Sequence, residues 1–371
     1  MKKLKLLLLP GDGIGHDNLF SILPILKKIN IDFDIKFGDI GWEYWKKEGN
    51  PIPKRTWDLI NWSDTILLGA ITSKPEKEAQ KELQIKNTND IHYISPIIQL
   101  RQKLNLFANV RPIFSIQNNK IQKDDNIDLV IIRENTEGLY SGLDFYPLPQ
   151  DLVTFVNSYK KDNQPWNIST SKDAAIALRI MTKKGVERII RFAFDWAKKN
   201  NYYLVTWADK PNVNRKSGQF VINILEKVSK DYPNIQWEVK NVDAVAMWLI
   251  RDPSRFQVIV SENQFGDILS DLGAGIMGGL GLAPSANLGK NKSYFEPVHG
   301  SAPKYSGKNI ANPSAMFFSL SLLLSNNGYK YEAIRLNKAV KAVITEQKYI
   351  TRDLGGSSTT IDMSNAIIEK Y

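Results

Sequence analysis

Leu4-Lys5-Leu6-Leu7-Leu8-Leu9 leads directly into Pro10-Gly11-Asp12-Gly13-Ile14-Gly15 near the start of the chain. The short apolar run predicts a buried strand, the glycines predict a tight turn, and residues 18–28 are predicted to form the following helix. The same pattern recurs along the chain, with apolar runs at 65–69, 129–132, 204–207 and 258–261 and an amphipathic stretch at 184–199. Alternating strands and helices are typical of α/β architecture.

The glycine turn is not a dinucleotide-binding fingerprint. That fingerprint, G-x-G-x-x-G, ends on a glycine that lets a helix pack closely on a strand, and this chain has His16 there. A glycine-rich turn after a first strand nevertheless allows the backbone to approach a ligand closely. The turn therefore indicates a ligand contact of another type.

Length and composition limit the classes of protein that fit. The chain has 371 residues, 43% of them hydrophobic, and can bury a sizeable core in two domains or one large α/β unit. Its first apolar run is too short for a signal peptide, and none approaches the roughly 18 residues that cross a membrane. We expect a cytoplasmic protein without membrane contact.

The net charge of +10 raises the question of a nucleic-acid partner. The lysines are scattered, as in Lys183-Lys184 and Lys198-Lys199, and form no dense basic tract. We therefore expect no nucleic-acid partner. A positive field would instead attract a polyanionic substrate and a phosphorylated cofactor.

Two polar stretches interrupt the α/β pattern. Residues 146–171 contain three prolines, and the runs 153–156 and 166–168 predict strands of an excursion, with a disordered linker as the alternative. Residues 74–89 are rich in lysine and glutamate and predict a surface loop or helix.

Three aspartates in two stretches indicate a metal site. Asp267 and Asp271 lie four residues apart and share one face if the segment after Gly266 is helical, so their like charges repel unless a cation lies between them. Asp243 follows Asn241-Val242 in a separate stretch. Oxygen ligands in a chain without cysteine favour Mg²⁺ or Mn²⁺. The alternative is a solvated acidic helix face.

Three arginines lie in apolar surroundings. Arg101, Arg111 and Arg133 each follow or end an apolar stretch, where a buried guanidinium is costly unless a carboxylate meets it. Three converging arginines would suit a di- or tricarboxylate. Three independent structural ion pairs are the alternative.

Six sequence features occur in an order that identifies a family. They are Pro10-Gly11-Asp12-Gly13-Ile14-Gly15, residues 100–112, Arg133-Glu134-Asn135-Thr136-Glu137-Gly138-Leu139-Tyr140, Lys210-Pro211-Asn212-Val213, the three aspartates, and His299-Gly300-Ser301-Ala302-Pro303. Together, over residues 5–365, they resemble the isocitrate/3-isopropylmalate dehydrogenase family of metal-dependent, decarboxylating oxidoreductases.

The resemblance implies a domain organisation and an assembly. Residues 1–100 and 255–371 would form a large cofactor-binding α/β domain, and residues 101–254 a small α/β domain that pairs with a second subunit. The excursion at about 146–171 would be the clasp between subunits. The expected assembly is a homodimer with shared active sites.

The resemblance also implies the roles of individual residues. Substrate carboxylates would meet Arg101, Arg111 and Arg133. Mg²⁺ or Mn²⁺ would be held by Asp267, Asp271 and the partner subunit's Asp243. The partner subunit's Lys210, with an aspartate of the metal site, would help to remove the hydroxyl proton, and Tyr140 would protonate the enolate after decarboxylation.

The cofactor is expected to lie on the loop that begins at His299. By resemblance the contacts would be Thr72 on the nicotinamide side, Asn312 at the adenine, and His299, Gly300, Ser301 and Ala302. Lys304 and Tyr305 resemble the pattern that meets the 2'-phosphate of NADP, and Arg352 lies near a further phosphate contact. We therefore expect NADP, with NAD as the alternative. Lys304 and Arg352 could instead be exposed charges.

Two segments of the sequence narrow the choice of substrate. Residues 133–138 resemble isocitrate and homoisocitrate enzymes, and Ser95, six residues before Arg101, would hydrogen-bond the distal carboxylate. Ile97 departs from the asparagine common in isocitrate enzymes and is similar to homoisocitrate enzymes. The predicted reaction is the oxidative decarboxylation of a 2-hydroxy acid bearing a 3-carboxylate, first isocitrate to 2-oxoglutarate with NADP.

Homoisocitrate is the first alternative substrate, followed by 3-isopropylmalate and by tartrate or malate. A catalytically silent regulatory subunit is the alternative of another class. Such subunits tend to lose catalytic groups, whereas Tyr140, Lys210 and the three aspartates are all present here.

Overall fold

A computed structural model describes residues 3–85, 91–117, 126–161 and 163–371 of the chain. The strands in these ranges are β1 (Leu4–Leu9), β2 (Phe33–Phe37), β3 (Thr65–Leu68), β4 (Ala108–Phe114), β5 (Asp128–Glu134), β6 (Asp144–Phe145), β7 (Ile176–Ala177), β8 (Leu204–Asp209), β9 (Gln236–Asn241), β10 (Val258–Ser261), β11 (Pro284–Leu288) and β12 (Ser293–Pro297).

The α-helices in the same ranges are α1 (Ile14–Ser21), α2 (Leu23–Lys28), α3 (Trp42–Glu48), α4 (Lys54–Trp62), α5 (Glu76–Lys81), α6 (Pro96–Lys103), α7 (Gln150–Ser158), α8 (Lys183–Lys199), α9 (Arg215–Ser229), α10 (Val242–Arg251), α11 (Asn263–Met277), α12 (Ser314–Asn326), α13 (Lys330–Glu346) and α14 (Thr360–Lys370). Single 3₁₀ turns occupy Pro253–Arg255, Leu280–Leu282, Pro303–Tyr305 and Arg352–Leu354. No helix in the described part of the chain is both long and apolar enough to span a membrane.

One mixed sheet organises the fold. Its strand order is β2-β1-β3-β12-β11-β4-β5-β10-β8-β9. The strands pair in parallel towards both edges, while β12, β11, β4 and β5 pair antiparallel in the middle. Helices connect the parallel strands, and the predicted α/β class is confirmed.

The sheet is covered by helices of two kinds. The apolar helix α12 is buried along most of its length and packs on β11 and β12. The amphipathic helix α8 buries Val186, Ile190 and Ala193, and its N-terminus is capped by Thr182, whose hydroxyl accepts from the Gly185 amide at 3.0 Å. Helix α11 packs on β4 and β5, which brings its side chains to the middle of the sheet.

The sheet is continuous across the predicted boundary between the two domains. Strand β11, from the predicted large domain, pairs with β4, from the predicted small domain, through Asn287 opposite Asn109. The division into residues 1–100 with 255–371 and residues 101–254 stays a prediction.

Several predicted elements differ from the structure. The strands predicted at 153–156 and 166–168 are wrong, because helix α7 covers the first run and the second has no regular structure. The β-branched residues Val153 and Val156 favoured a strand, but both pack, with Leu148 and Ile168, in a small apolar cluster that a helix fits.

The helix predicted at 18–28 is two helices in the structure. Helix α1 begins earlier, at Ile14, and ends before Ile22, and α2 contains Pro24 near its start. Because proline has no amide hydrogen, it is tolerated in the first turn of a helix but not in its interior. In the polar stretch 74–89, α5 is the helical part, and residues 86–89 lie outside the described ranges.

Candidate active site

Two of the three predicted arginines come from neighbouring strands at the middle of the sheet, and the third comes from a helix. Arg133 on β5 lies opposite Asn109 on β4. Arg111 lies two residues after Asn109 on the same face of β4. Arg101 comes from the last turn of α6. Their side chains are 5% exposed at Arg133, 8% at Arg111 and 13% at Arg101.

Helix α11 places two carboxylates against these arginines. Asp267 and Asp271 lie one helical turn apart on α11, which meets the condition under which the two side chains share a face. Asp267 pairs with Arg133 and lies 3.7 Å from the guanidinium of Arg111, and Asp271 accepts from Arg111 Nη1 at 2.9 Å. Gly266 permits this arrangement, because a Cβ there would lie 2.8 Å from the Cβ of Arg133.

A buried polar network beneath the site was not predicted from the sequence. The side-chain oxygen of Asn287 accepts from Asn109 at 2.9 Å, from Asn135 at 2.8 Å and from Arg101 at 3.2 Å. The Asn287 amide nitrogen donates to Glu296 at 3.0 Å. Asparagine in a short, fully buried strand was the signal available, because a buried amide must find hydrogen-bonding partners.

Burial changes the pKa values of the arginines in the cleft, the site formed by Arg101, Arg111, Arg133, Asp267 and Asp271. It lowers the pKa of Arg133 to about 9, and the positive charge of Arg101 contributes to the same shift. Burial also lowers the pKa of Arg111, which Asp267 opposes. These guanidinium groups therefore depend on nearby negative charge, and the carboxylates of a bound substrate would supply it.

Tyr140 lies at the edge of the same cleft. Its ring is 5.7 Å from the guanidinium carbon of Arg133, and its side chain is about half exposed. Partial burial raises the pKa of Tyr140, and the charge of Asp267 raises it further. The phenol is therefore protonated at neutral pH and can donate a proton.

Lys210 and Asp243 form a separate pair. Lys210 follows β8, and Asp243 lies in the first turn of α10, after β9. The neighbouring parallel strands β8 and β9 place the two residues side by side. The hydrogen bond from Lys210 lowers the pKa of Asp243, whose side chain is 65% exposed. In the described residues, no hydrogen bond or ion pair joins this pair to the cleft of Arg133 and Asp267.

The donor set of the cleft is consistent with a hard divalent cation. Asp267 and Asp271 offer carboxylate oxygens from successive turns of α11, the ligand type that Mg²⁺ and Mn²⁺ prefer. Among the described ranges, no group of three histidine, cysteine or acidic side chains is close enough to hold a metal. One copy thus brings together two of the three predicted ligands, and Asp243 lies apart from them.

A cavity of about 510 Å³ lies beside the first glycine turn. Five of the predicted cofactor residues line it, namely His299, Ala302, Tyr305, Asn312 and Arg352. Thr72 and Ser301 lie next to one another, with their hydroxyl oxygens 2.7 Å apart, and the Ser301 carbonyl accepts from the Ile14 amide at 2.8 Å. Gly300 and Lys304 lie on the same loop without lining the cavity.

Two further carboxylates, one lining the cavity and one beside Thr72, were not predicted. Asp353 lines it beside Arg352, and its carboxylate accepts from Thr351 Oγ1 at 2.6 Å and from Asn312 Nδ2 at 2.9 Å. Asp12, in the glycine turn, accepts from the Thr72 amide at 2.8 Å and the Trp42 amide at 2.7 Å. Both carboxylates hold neighbouring groups in place.

Ser95 precedes α6, and its hydroxyl is 2.8 Å from that of Ser73. The isoleucines around it differ in their environments. Ile97 packs against a core cluster, whereas Ile94 and Ile98 are about half exposed. Ile98 lies three residues before Arg101 and shares its face of α6.

Comparisons with known proteins identify the family of the chain. Residues 5–367 match the family model described as isocitrate/isopropylmalate dehydrogenase. The chain is 40% identical to the homoisocitrate dehydrogenase of Methanocaldococcus jannaschii, with 98% of this chain and 97% of that protein covered. The crystal structure of isocitrate dehydrogenase from Methylococcus capsulatus superposes with a TM-score of 0.82 at 35% identity, covering 99% of both chains.

A longer relative also matches. Protein DlpA of Legionella pneumophila is 52% identical over 99% of this chain, and the chain spans 58% of the length of DlpA. Since the family model and these relatives cover nearly every residue that builds the cleft and the cavity, the chain belongs to the isocitrate/isopropylmalate dehydrogenase family of decarboxylating dehydrogenases.

Proposed function

We propose that the protein oxidatively decarboxylates a 2-hydroxy acid bearing a 3-carboxylate, with isocitrate as substrate and NADP as cofactor. One observation carries this proposal: three buried arginines lie together at the middle of the sheet, where Arg111 and Arg133 pair with two aspartates and Arg101 pairs with Glu296. A tricarboxylate complements three guanidinium groups, each able to bind a carboxylate in bidentate fashion.

The paired charges of the cleft support a substrate that binds together with a metal. Asp267 and Asp271 occupy the donors of Arg111 and Arg133. A divalent cation held by these carboxylates supplies Lewis acidity towards the substrate's hydroxyl and carboxylate oxygens. Arg111 and Arg133 would then direct their donors to the substrate's carboxylates.

The remaining groups account for the proton transfers. As the hydride leaves the hydroxyl-bearing carbon, Lys210 with Asp243 would receive the hydroxyl proton. Loss of the 3-carboxylate as carbon dioxide leaves an enolate, which the arginines stabilise as it forms. Tyr140, whose pKa is raised by burial, would donate a proton to the enolate carbon.

A second copy of the chain would complete the site. Lys210 and Asp243 lie apart from the cleft, and α10 and α11, which carry Asp243 and Asp267, pack against one another. Both helices expose large apolar side chains, including Ile250 and Ile268, which are more than half exposed. Burying these helices against their counterparts would give a dimer with two equivalent sites.

The charges at the cavity support NADP. Lys304 is exposed, and Tyr305 and Arg352 line the cavity, so all three are accessible to a 2'-phosphate. NAD is the alternative, and Asp353 is the observation that favours it, since a carboxylate in this cavity could accept from ribose hydroxyls. Each oxygen of Asp353 already accepts from a side chain, which argues for a structural role.

Homoisocitrate is the alternative substrate. The half-exposed Ile94 and Ile98 form an apolar surface beside Ser95 that would suit a substrate one methylene longer. The relative from M. jannaschii bears the name homoisocitrate dehydrogenase. Ile97 is a weaker guide, because its side chain packs against the core.

Initial-rate kinetics of the purified protein with Mg²⁺ tests the proposal. Isocitrate, homoisocitrate, 3-isopropylmalate, tartrate and malate would each be combined with NADP and NAD. We expect kcat/KM for isocitrate with NADP to exceed the other pairs by about tenfold or more. Preference for homoisocitrate would replace the substrate assignment. No turnover with any pair would favour the silent regulatory subunit.

A further inference from the structure

The amide of Asn18 connects two walls of the cofactor cavity. Asn18 lies on α1 and is completely buried. Its Nδ2 is 3.2 Å from Nε2 of His299 and 3.2 Å from the backbone carbonyl of Asn312. His299 and Asn312 both line the cavity of about 510 Å³, whereas Asn18 does not.

The hydrogen-bonding partners fix both the amide and the imidazole. A backbone carbonyl can only accept, so the Asn18 atom that faces Asn312 must be the NH₂ group. The second hydrogen of that group points to His299 Nε2, which must accept it. Nδ1 of His299 lies 3.0 Å from the Gly300 carbonyl and therefore carries the hydrogen. His299 is thus held as the neutral Nδ1–H tautomer.

The surroundings of His299 agree with a neutral ring. Burial lowers the pKa of His299, and the carboxylate of Asp353 only partly opposes this shift. Within the described part of the chain, the Asn18 side-chain oxygen has no hydrogen-bond partner. The amide therefore makes its contacts through the NH₂ group alone, although this leaves a buried acceptor unpaired.

Helix α1 is itself anchored to the same loop. The Ile14 amide donates to the Ser301 carbonyl at 2.8 Å, and the Asp17 carboxylate accepts from the Gly307 amide at 2.8 Å. Asn18 adds the contacts to the first residue of the loop and to Asn312 near its end. The helix thereby holds the loop at several points.

We propose that Asn18 is a positioning residue for the nicotinamide cofactor: it sets the tautomer and orientation of His299 and fixes it relative to Asn312. The role in binding rests on the proposed function, because it requires that the cavity take NADP or NAD. Asn18 does not touch the reacting atoms, so its effect should fall on cofactor affinity and hardly on kcat.

Two variants and a control test this proposal. Asn18→Leu removes both hydrogen bonds at similar size. Asn18→Asp keeps the shape but offers only acceptors, so it repels the Asn312 carbonyl and favours a proton on His299 Nε2. The control is Ser21→Ala on the same helix. It removes the hydrogen bond from the Ser21 hydroxyl to the backbone carbonyl of Asn18 at 2.8 Å and leaves the side-chain amide of Asn18 intact.

The first measurement is the ¹⁵N NMR tautomer signature of the histidines in the ligand-free protein. The chain has only three histidines, and His16 and His92 are exposed, so the partly buried ring of His299 can be distinguished. We expect the Nδ1–H form in the wild type and in Ser21→Ala, and a protonated Nε2 in Asn18→Asp. A wild-type Nε2–H tautomer, or an unchanged signal in Asn18→Asp, would overturn the proposal.

The second measurement is the Kd for NADP and NAD by titration, with kcat from saturating kinetics. We expect both Asn18 variants to weaken cofactor binding roughly tenfold, with kcat changed less than about twofold, and Ser21→Ala to match the wild type. Unchanged Kd values in both Asn18 variants would overturn the positioning role. A wild type that binds neither nucleotide would overturn the cofactor assignment instead, and the tautomer signature would still decide the Asn18–His299 contact.

Discussion

The two groups of predicted catalytic residues differ sharply in how the fold holds them. The cleft consists of Arg101, Arg111, Arg133, Asp267 and Asp271. Its arginines are at most 13% exposed and rest on a buried network of hydrogen bonds, whereas Asp243 is 65% exposed and pairs with Lys210 at the end of two strands. A single copy preorganises the cleft but leaves the Lys210–Asp243 pair open, which is the expected division if two copies share each site.

The largest expected effect comes from disabling each group in turn. Lys210→Met removes one member of the pair proposed to receive the hydroxyl proton, and Asp267→Asn removes a proposed metal ligand. Each change should lower kcat about a thousandfold, measured with isocitrate, NADP and Mg²⁺. Lys216→Met is the matched control, because Lys216 is an exposed lysine that also follows β8 in the chain but belongs to neither group. This variant should retain full activity.

Co-expression of the two inactive variants then tests the sharing itself. A mixed dimer has one site with both defects and one site with neither, and mixed dimers form half of a random population. The mixture should therefore recover about a quarter of the wild-type activity. Recovery of nothing would show that each copy uses its own Lys210, and the proposed division between the two groups would fail.

The next effect concerns the chemistry of the cleft arginines. Arg133→Lys keeps the charge but loses the planar donor pair, so kcat/KM for the substrate should fall about a hundredfold, chiefly through KM. Arg55→Lys serves as the control, since Arg55 is exposed and pairs with Asp39 and Glu48 far along the chain from the cleft. An equal, small effect of both changes would argue that Arg133 is a structural ion pair.

The sequence predicted those parts of the fold and site that depend on residues close together in the chain. The apolar runs predicted buried strands correctly, since β1 and β10 occupy the predicted residues. Asp267 and Asp271 share a helix, the condition on which their predicted common face depended. These features depend on local periodicity, which the sequence displays directly.

Contacts between residues that are distant in the chain could not be predicted from local sequence periodicity. The pairing of Arg101 with Glu296, 3.6 Å apart, joins segments that are distant in the chain, and Asn287 connects to both. The helix α7 was mistaken for a strand because β-branched residues favour strands until packing decides otherwise. Asn18 carried no signal at all, since its role depends on where His299 folds back.

A smaller effect is expected at the cofactor cavity, which like the cleft is formed within one copy. Lys304→Asp should weaken NADP binding about tenfold, the effect of losing one charge-assisted hydrogen bond of about 1.5 kcal/mol, and leave NAD binding nearly unchanged. Lys308→Asp is the control, because Lys308 is likewise exposed, lies four residues further along the chain and is not among the proposed cofactor contacts. Equal losses in both variants would indicate a general effect of charge and no contact with the 2'-phosphate.

The smallest effect should come from the apolar surface beside Ser95, where the cleft meets solvent. Ile98 is 47% exposed, so Ile98→Asn should hardly change the thermal unfolding midpoint and should raise the kcat/KM ratio of isocitrate to homoisocitrate about fivefold. Ile97→Val, at the preceding position, is the comparison variant. Because Ile97 packs against the core, its truncation should cost about 1 kcal/mol of stability and leave the ratio unchanged. If Ile97→Val moved the ratio and Ile98→Asn did not, the substrate would contact the buried face of α6, and the boundary of the cleft would have to be redrawn there.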